Sequence, residues 1–316
     1  MRIKFWGVRG SIPSPLISED IRSKILRALK RALEAGLATD DALGRFVDRL
    51  PRHIGATYGG NTPCVELDTG GDPIIFDAGS GLKPLGAHLM KGNLGRGDGT
   101  CHLFLSHTHW DHIQGFPFFL PAFVPGNRIF IYSGDSDTQQ RLSIQQDPRY
   151  FPVPLDAMQA QLEFISLAEG ETIGINDVQV SGIALNHPGG AFGYRAQKGD
   201  KTAVYATDTE FMNLDSSEMA KYISFFSQAN VLIFDSQYTL VEAFQKEDWG
   251  HSSSLKGVEL AAEAGVDTLV LFHHEPTYDD DTLRDILQRT IEYAKLQGKN
   301  GTPRVIMAYE GLELVV

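Results

Sequence analysis

Ser106-His107-Thr108-His109-Trp110-Asp111-His112 is the stretch on which the reading of this 316-residue chain turns. It continues an apolar, strand-like run, CHLFLS, at 101–106. In an extended strand, His107 and His109 share one face. A helical turn starting near Trp110 would bring Asp111 and His112 round toward a second centre. Four potential ligands among residues 107–112, three neutral imidazoles and a carboxylate, suit Zn²⁺, Mn²⁺ or Fe²⁺. The chain has 10 histidines in all, so three of them so close together exceed chance.

Outward from this stretch the pattern alternates strands and helices. Residues 2–8 alternate like a strand. Residues 19–36 place Ile21, Ile25, Leu29 and Leu33 at helical spacing and stop at Gly36, and a second short helix is expected at 40–50. TYGGNTPCVEL is a glycine turn leading into a strand, and DPIIFDAGSG is a strand followed by a turn. Residues 91–99 read as an exposed loop. Further strands are expected at 128–132, 161–166, 171–184, 192–197 and 202–206, with helices at 138–146 and 215–227. The last third alternates strand 231–235, helix 252–264, strand 268–272, helix 279–296 and strand 304–310. No repeat or linker divides the chain, so one domain over 1–316 is expected, with a helical insertion at about 16–54. Such a pattern fits two sheets with helices outside, and also a plain three-layer α/β fold; in either, sites gather at strand ends.

Composition narrows the class. Hydrophobic residues make up 42% and aromatics 10%, which excludes a disordered or collagen-like chain. No apolar run approaches the roughly 18 residues of a membrane span. The start has no apolar h-region, so a cytoplasmic location without a membrane partner is expected. The net charge of −12 disfavours a general nucleic-acid binder. Residues 1–54 carry 11 Lys and Arg against 6 Asp and Glu, so the surplus there is +5 and the remainder holds −17. An anion-attracting rim would explain this, and a solvated amphipathic helix explains it more simply. Cys64 and Cys101 lie on apolar runs without a CxxC pair, as buried reduced thiols do.

HTHWDH resembles the HxHxDH signature of the metallo-β-lactamase superfamily, and the likeness runs over nearly the whole chain in order. FDAGSG at 76–81 is similar to the aspartate-glycine motif. His187 in LNHPGGAFGYR, Asp208 in YATDTE and His273 in LVLFHHEP resemble the later histidine, bridging-aspartate and last-histidine motifs. GNTPCVEL and WGHSS resemble the branch that holds ribonuclease Z and a cyclic phosphodiesterase. The resemblance implies an αβ/βα four-layer sandwich of two mixed sheets flanked by helices. It implies two divalent ions, Zn favoured and Mn or Fe open, one held by His107, His109 and His187 and the other by Asp111, His112 and His273. Asp208 would bridge them, and Asp77 would hydrogen-bond a ligand imidazole and fix its tautomer. His109 argues against the flavin-linked di-iron oxidoreductases, which carry Glu there, and His112 argues against the mono- or mixed-ligand β-lactamases. His273 is preferred over His274 because it comes first after the strand.

Other residues carry weaker signals. His251, ahead of a helix capped by Ser252 or Ser253, corresponds by resemblance to a histidine that stabilises phosphate or protonates the leaving oxygen. Asp235 would orient it or cap a turn. The turns Gly7–Ser11 and Gly59–Thr62 expose backbone N–H groups to an anion, with Arg9 and Asn61 as candidate substrate-binding residues. FPFFLPAF at 116–123 reads as core before it reads as a substrate wall. His53, His88 and His102 have no partners in sequence.

These observations lead to a metal-dependent hydrolase acting on a small or cyclic anionic phosphodiester, with Asp111, Asp208 and His251 in the chemistry. Paired cations hold and activate a hydroxide for attack on phosphorus. The rivals are a ribonuclease Z-like tRNA 3′-end endonuclease, a carboxyl-ester or lactone hydrolase, and a metal-loaded regulatory module without turnover. No Gly/Arg-rich arm for a large polyanion is visible. The insertion would serve as a lid or as a homodimer interface; natural substrate, metal identity and oligomeric state stay open.

Overall fold

Long apolar runs alternate with polar turns, and the chain sorts them into two seven-stranded sheets. The structure, a computed structural model, describes residues 1–37, 40–297 and 302–316. The strands are β1 Arg2–Gly7, β2 Cys64–Asp68, β3 Ile74–Phe76, β4 Thr100–Leu105, β5 Arg128–Ser133, β6 Gln161–Ser166, β7 Thr172–Ile175, β8 Val178–Leu185, β9 Ala191–Lys198, β10 Lys201–Ala206, β11 Val231–Asp235, β12 Thr268–Phe272, β13 Arg304–Met307 and β14 Glu313–Val315. The helices are α1 Ser18–Glu34, α2 Asp40–Asp48, α3 Arg52–Gly55, α4 Leu82–Leu89, α5 Asn93–Arg96, α6 Trp110–Ile113, α7 Thr138–Gln145, α8 Ser216–Phe226, α9 Leu240–Gln245, α10 Ser254–Glu263 and α11 Asp280–Leu296.

The first sheet runs β14-β1-β2-β3-β4-β5-β6 and the second β13-β12-β11-β10-β9-β8-β7. Both are mixed: β3 to β6 are parallel, as are β10 to β13, while β1–β2 and β7 to β10 pair antiparallel. The facing sides share a core of Phe5, Phe76, Phe104, Tyr194, Tyr205 and Phe272. On the outer faces, Leu82, Leu85, Phe116 and Phe119 cover the first sheet, and Phe226, Val258, Ala261 and Leu283 cover the second. Strands such as VLIFD and TLVLF are buried on both sides, which is why they read as continuous apolar runs. The result is the four-layer αβ/βα sandwich, not the three-layer alternative.

Three expectations shift. Residues 171–184 form two strands, because Asn176 turns the chain with φ 52° and makes a hairpin. The 91–99 loop contains α5, pinned by buried Leu94, whose carbonyl accepts from Asn127 Nδ2 at 2.7 Å. Helix α4 hides in the sequence behind Pro84, which a first helical turn tolerates.

Between β1 and β2, α1 forms as its periodicity requires, yet none of its residues is buried. Its basic groups hold it in place instead. Lys24 Nζ donates to the carbonyls of His53 and Ala56 and pairs with Asp280 at 2.7 Å, and Arg27 pairs with Asp281. Part of the positive surplus of residues 1–54 is thus engaged by the start of α11. Residues 38–39 of the expected insertion lie outside the described residues. Among the described residues, no helix is long and apolar enough to cross a membrane. Cys64 and Cys101 are buried free thiols, as expected.

Candidate metal centre

The C-terminal ends of β3, β4, β8, β10, β11 and β12 are followed at once by Asp77, Ser106–His112, His187, Asp208, Ser236–Gln237 and His273. After β4 the chain stays extended through His109 (ψ 153°), then turns into α6, which presents Asp111 and His112. This is the strand-then-turn geometry expected of the motif.

Among the described residues three groups of possible ligand atoms result, one of which, Asp208, Asp235, His251 and His273, overlaps the other two. Of those two, His107, His109, His187 and Asp208 form one, and Asp111, His112 and His273 form the other; within each, one ligand atom per residue lies within 4.8 Å of the rest. Asp208 stands between them. Its Oδ2 is 3.2 Å from His112 Nε2, 3.4 Å from His107 Nε2 and 3.8 Å from His187 Nε2, while its Oδ1 is 3.1 Å from His273 Nε2. Asp111 Oδ2 lies 3.2 Å from His112 Nε2 and 3.1 Å from His273 Nε2.

Hydrogen bonds on the far side of each ring set the tautomers. His112 Nδ1–H donates to Asp77 Oδ2 at 2.7 Å, His273 Nδ1–H to Gln237 Oε1 at 2.8 Å and His187 Nδ1–H to the Gly250 carbonyl at 3.0 Å. Ser106 Oγ donates to Asp77 and therefore accepts from His107 Nδ1–H at 3.0 Å. Four Nε2 lone pairs consequently point inward, against each other and against carboxylate oxygen. His112 Nε2 and His273 Nε2 are 3.2 Å apart, His187 Nε2 and His109 Nδ1 3.1 Å apart. His107 Nε2 is buried with no hydrogen-bond partner. Lone pairs facing lone pairs need a cation between them, so this donor set fits divalent metal.

The electrostatics call for positive charge here: against burial, Asp111 and Asp208 push His112 well above its ordinary pKa, so a proton on it stands where a cation would fit. Burial, reinforced by neighbouring imidazoles, holds His107 well below its ordinary pKa, and burial holds His187 down as well. Burial opposes charge on Asp111 and Asp208, but His112 and His273 outweigh it and keep both carboxylates well below their usual range. Burial likewise opposes charge on His251, and Asp235 overcomes it, pushing His251 up to about 9. His251 Nδ1 is 2.8 Å from Asp235 Oδ2, and its ring stacks on His273 at 5.2 Å and meets His187 at 5.3 Å. Ser253, not Ser252, caps α10.

Four residues around this centre hold left-handed backbone although none is glycine: Ser11 (φ 61°), Asp77 (φ 62°), Asp208 (φ 53°) and His273 (φ 62°). Such conformations cost of order 1 kcal/mol or more each and persist where their surroundings impose them. At Gly250 (φ 82°) a Cβ would overlap His187 Nδ1, so only glycine brings its carbonyl to that ring.

His273 and His274 part company. His274 Nε2–H donates to the Ala308 carbonyl at 2.9 Å, away from the centre, and burial and nearby Arg9 lower its pKa to about 3.

Both candidate substrate-binding residues bond to the protein's own groups. Arg9 is buried, and its guanidinium donates from Nε and Nη1 to the carbonyls of Gly59, Glu275 and Tyr278 at 2.8–3.0 Å, which ties loops together. Asn61 donates from Nδ2 to Glu310 and accepts from Ser80 Oγ. The turns around them do bind anions, but the protein's own. Gly60 and Asn61 N–H groups meet Glu310 Oε1 at 2.7 and 2.6 Å, and Ser11 N–H meets Asp111 Oδ2 at 2.7 Å. Asp77 sits as expected of a tautomer-fixing residue, and also accepts from Ser106 N–H and Tyr205 Oη–H. Gln237 and Tyr205 escaped the sequence reading, and Ser11 entered it only as part of the Gly7–Ser11 turn; no motif marks their roles, because each acts through another residue. His102 bonds Tyr132 within the first sheet, His53 is buried near Lys24, and His88 lies against Trp6. In 116–123, Phe116 and Phe119 are core as expected, while Phe118 is exposed.

The sandwich with its centre at the strand ends defines a class, and sequence comparison agrees: residues 73–274 match the beta-lactamase superfamily domain. The chain belongs to that superfamily. Its relatives include a ribonuclease Z of Methanosarcina acetivorans, 23% identical over 269 residues that cover 70% of this chain and 84% of that one. Among solved structures, the metallo-beta-lactamase fold protein YhfI of Bacillus subtilis superposes with a TM-score of 0.64 at 18% identity, covering 99% of this chain and 98% of that one. A diphosphatase from the PhnP family superposes with a TM-score of 0.59 at 17% identity, covering 100% and 97%.

Proposed function

We propose that this chain is a metal-dependent hydrolase of small anionic phosphodiesters. The observation that carries the reading is the convergence of four inward Nε2 lone pairs on the Asp208 carboxylate, with the Asp111 carboxylate against two of the same rings. His107, His109 and His187 would hold one divalent ion, Asp111, His112 and His273 the other, and Asp208 would share an oxygen with each. Zn²⁺ suits this nitrogen-rich set, with Mn²⁺ or Fe²⁺ as alternatives. Paired divalent ions supply a water of lowered pKa and neutralise charge on phosphoryl oxygen.

The rest falls to the chain's own residues. Asp77, Gln237, Gly250 and Ser106 hold the imidazoles in one tautomer. Asp235 holds the His251 ring and favours its protonated form, so His251 carries the proton that a departing alkoxide requires. The names of the relatives, a ribonuclease Z and a diphosphatase, support phosphoester chemistry over carboxyl-ester chemistry.

The test is turnover of bis(p-nitrophenyl) phosphate beside carboxyl esters, with metal content measured on the same sample. Turnover of the phosphodiester is expected. Asp208→Ala should abolish it and empty at least one metal position; undiminished turnover with full metal content refutes the reading.

The sequence relatives favour one second reading, processing of a tRNA 3′ end. A polyanion engaging about six phosphates would lose affinity steeply with salt. Cleavage of a tRNA precursor measured against salt separates it, and the charge of −12 weighs toward the small substrate.

A further inference from the structure

The centre has an open side. His109 is exposed, and the residue after it, Trp110, is 67% exposed. Trp110 lines a cleft of about 590 Å³ together with Thr108, Arg141, Ile144, Gln145 and Tyr150. Tyr150 is also 67% exposed. The cleft and the centre therefore share one loop: in 107–112 the histidines and Asp111 face the metal positions, while Thr108 and Trp110 face the cleft.

The chemistry of the cleft is specific. Its cation is already neutralised, since Arg141 pairs with Asp135 at 2.8 Å and Asp137 at 2.9 Å and donates to Thr108 Oγ1 at 2.9 Å. A phosphate gains little there. Two aromatic rings and a fixed guanidinium plane offer faces to a flat, uncharged group, with the Thr108 hydroxyl beside the guanidinium.

Resting on the phosphodiesterase reading, we propose that this cleft is a nucleobase subsite, so that the substrate is a short nucleotide phosphodiester with one base stacked on Trp110 and Tyr150 while its phosphate reaches the centre. Recognition through one stacked base also reconciles an anionic substrate with a strongly acidic protein, because it needs no basic groove.

The experiment compares esters that share the p-nitrophenolate leaving group: thymidine 5′-(p-nitrophenyl phosphate), phenyl p-nitrophenyl phosphate and methyl p-nitrophenyl phosphate. The readout is the ratio of kcat/KM for the thymidine ester to that for the methyl ester, with metal content checked in each variant. Stacking contributes about 1–3 kcal/mol per base, so Trp110→Ala and Tyr150→Ala should each lower that ratio roughly 5- to 150-fold. Trp110→Phe should restore most of it. Trp249 is 62% exposed but does not line the cleft, so Trp249→Ala should leave the ratio unchanged. Equal losses on both esters, an unchanged ratio, the same drop in Trp249→Ala, or a phenyl ester as good as the thymidine ester would each overturn the assignment. If no ester turns over, the phosphodiesterase reading fails on its own. Calorimetric titration of the metal-loaded protein with thymidine 5′-monophosphate then decides the subsite. A Kd weakened at least 5-fold in Trp110→Ala and Tyr150→Ala upholds it, and no binding or an unchanged Kd removes it.

Discussion

The two halves of the cradle are built differently. Around Asp111, His112 and His273 every side chain is buried, and side chains or N–H groups brace each from behind: Asp77 behind His112, Gln237 behind His273, Ser11 N–H on Asp111. Around His107, His109 and His187 the bracing comes from one serine hydroxyl and one carbonyl, and His109 stands at the surface. The inner half is buried throughout and braced at every side chain; the outer half is open at His109. Two nominally equivalent sites thus differ in rigidity, and the difference follows from which strand ends supply the ligands.

Removing one ligand from each half is the sharpest way to break this comparison. His112→Ala and His109→Ala should both lower turnover by at least about 1,000-fold, since both positions serve the same reaction. Metal analysis should still find one ion in His109→Ala, and urea unfolding of its metal-free form should lie within about 0.5 kcal/mol of the parent. His112→Ala should lose about 1–3 kcal/mol, because it leaves Asp77 short of a buried donor. Equal metal loss and equal stability in the two would erase the distinction.

His251 lies beside both halves, and its substitution separates proton delivery from metal binding. His251→Gln should keep both ions yet lose about 100-fold or more on esters whose leaving alcohol has a high pKa, with a much smaller loss on p-nitrophenyl esters. A uniform loss would make it a positioning residue. Behind the inner half, Asp77→Asn should cost about 10- to 100-fold in activity or metal affinity, the range usual for groups that orient a ligand. Ser106→Ala, which loosens His107 of the outer half as well, should cost less.

The smallest expected effect lies away from both halves. Burial lowers the pKa of His102, so the native state binds fewer protons than the unfolded one. Its contribution to stability is complete above the unfolded value of about 6.5 and declines as pH falls below it. In His102→Gln the slope of unfolding free energy between pH 6.5 and 4.5 should flatten by at most about 1.4 kcal/mol per pH unit. Urea titrations at three pH values check it.

The candidate ligands of both halves were legible in the sequence because metal chemistry demands particular residue types at strand ends. The runs VLIFD and TLVLF were legible as strands, but the pairing of two sheets followed only from the family resemblance, since the pattern also fitted a three-layer α/β fold. What the sequence concealed depends on direction. Arg9 looked like a phosphate ligand, and nothing in GVRGS says that its guanidinium turns toward the carbonyls of Gly59, Glu275 and Tyr278. Gln237 looked like any polar residue after a strand. The row Ile21, Ile25, Leu29 predicted a helix correctly and left open what its apolar side meets, since periodicity reports that a helix has an apolar side and not what covers it.

Ser11, Asp77, Asp208 and His273 all sit in backbone that their side chains disfavour. A glycine at Asp208 would abolish chemistry and relax the chain at the same stroke, so metal-free Asp208→Gly should melt higher than metal-free Asp208→Ala in a thermal scan, by a few degrees. Activity and durability therefore pull against each other at these four positions. A lineage that abandoned the reaction could gain heat resistance merely by forgetting them.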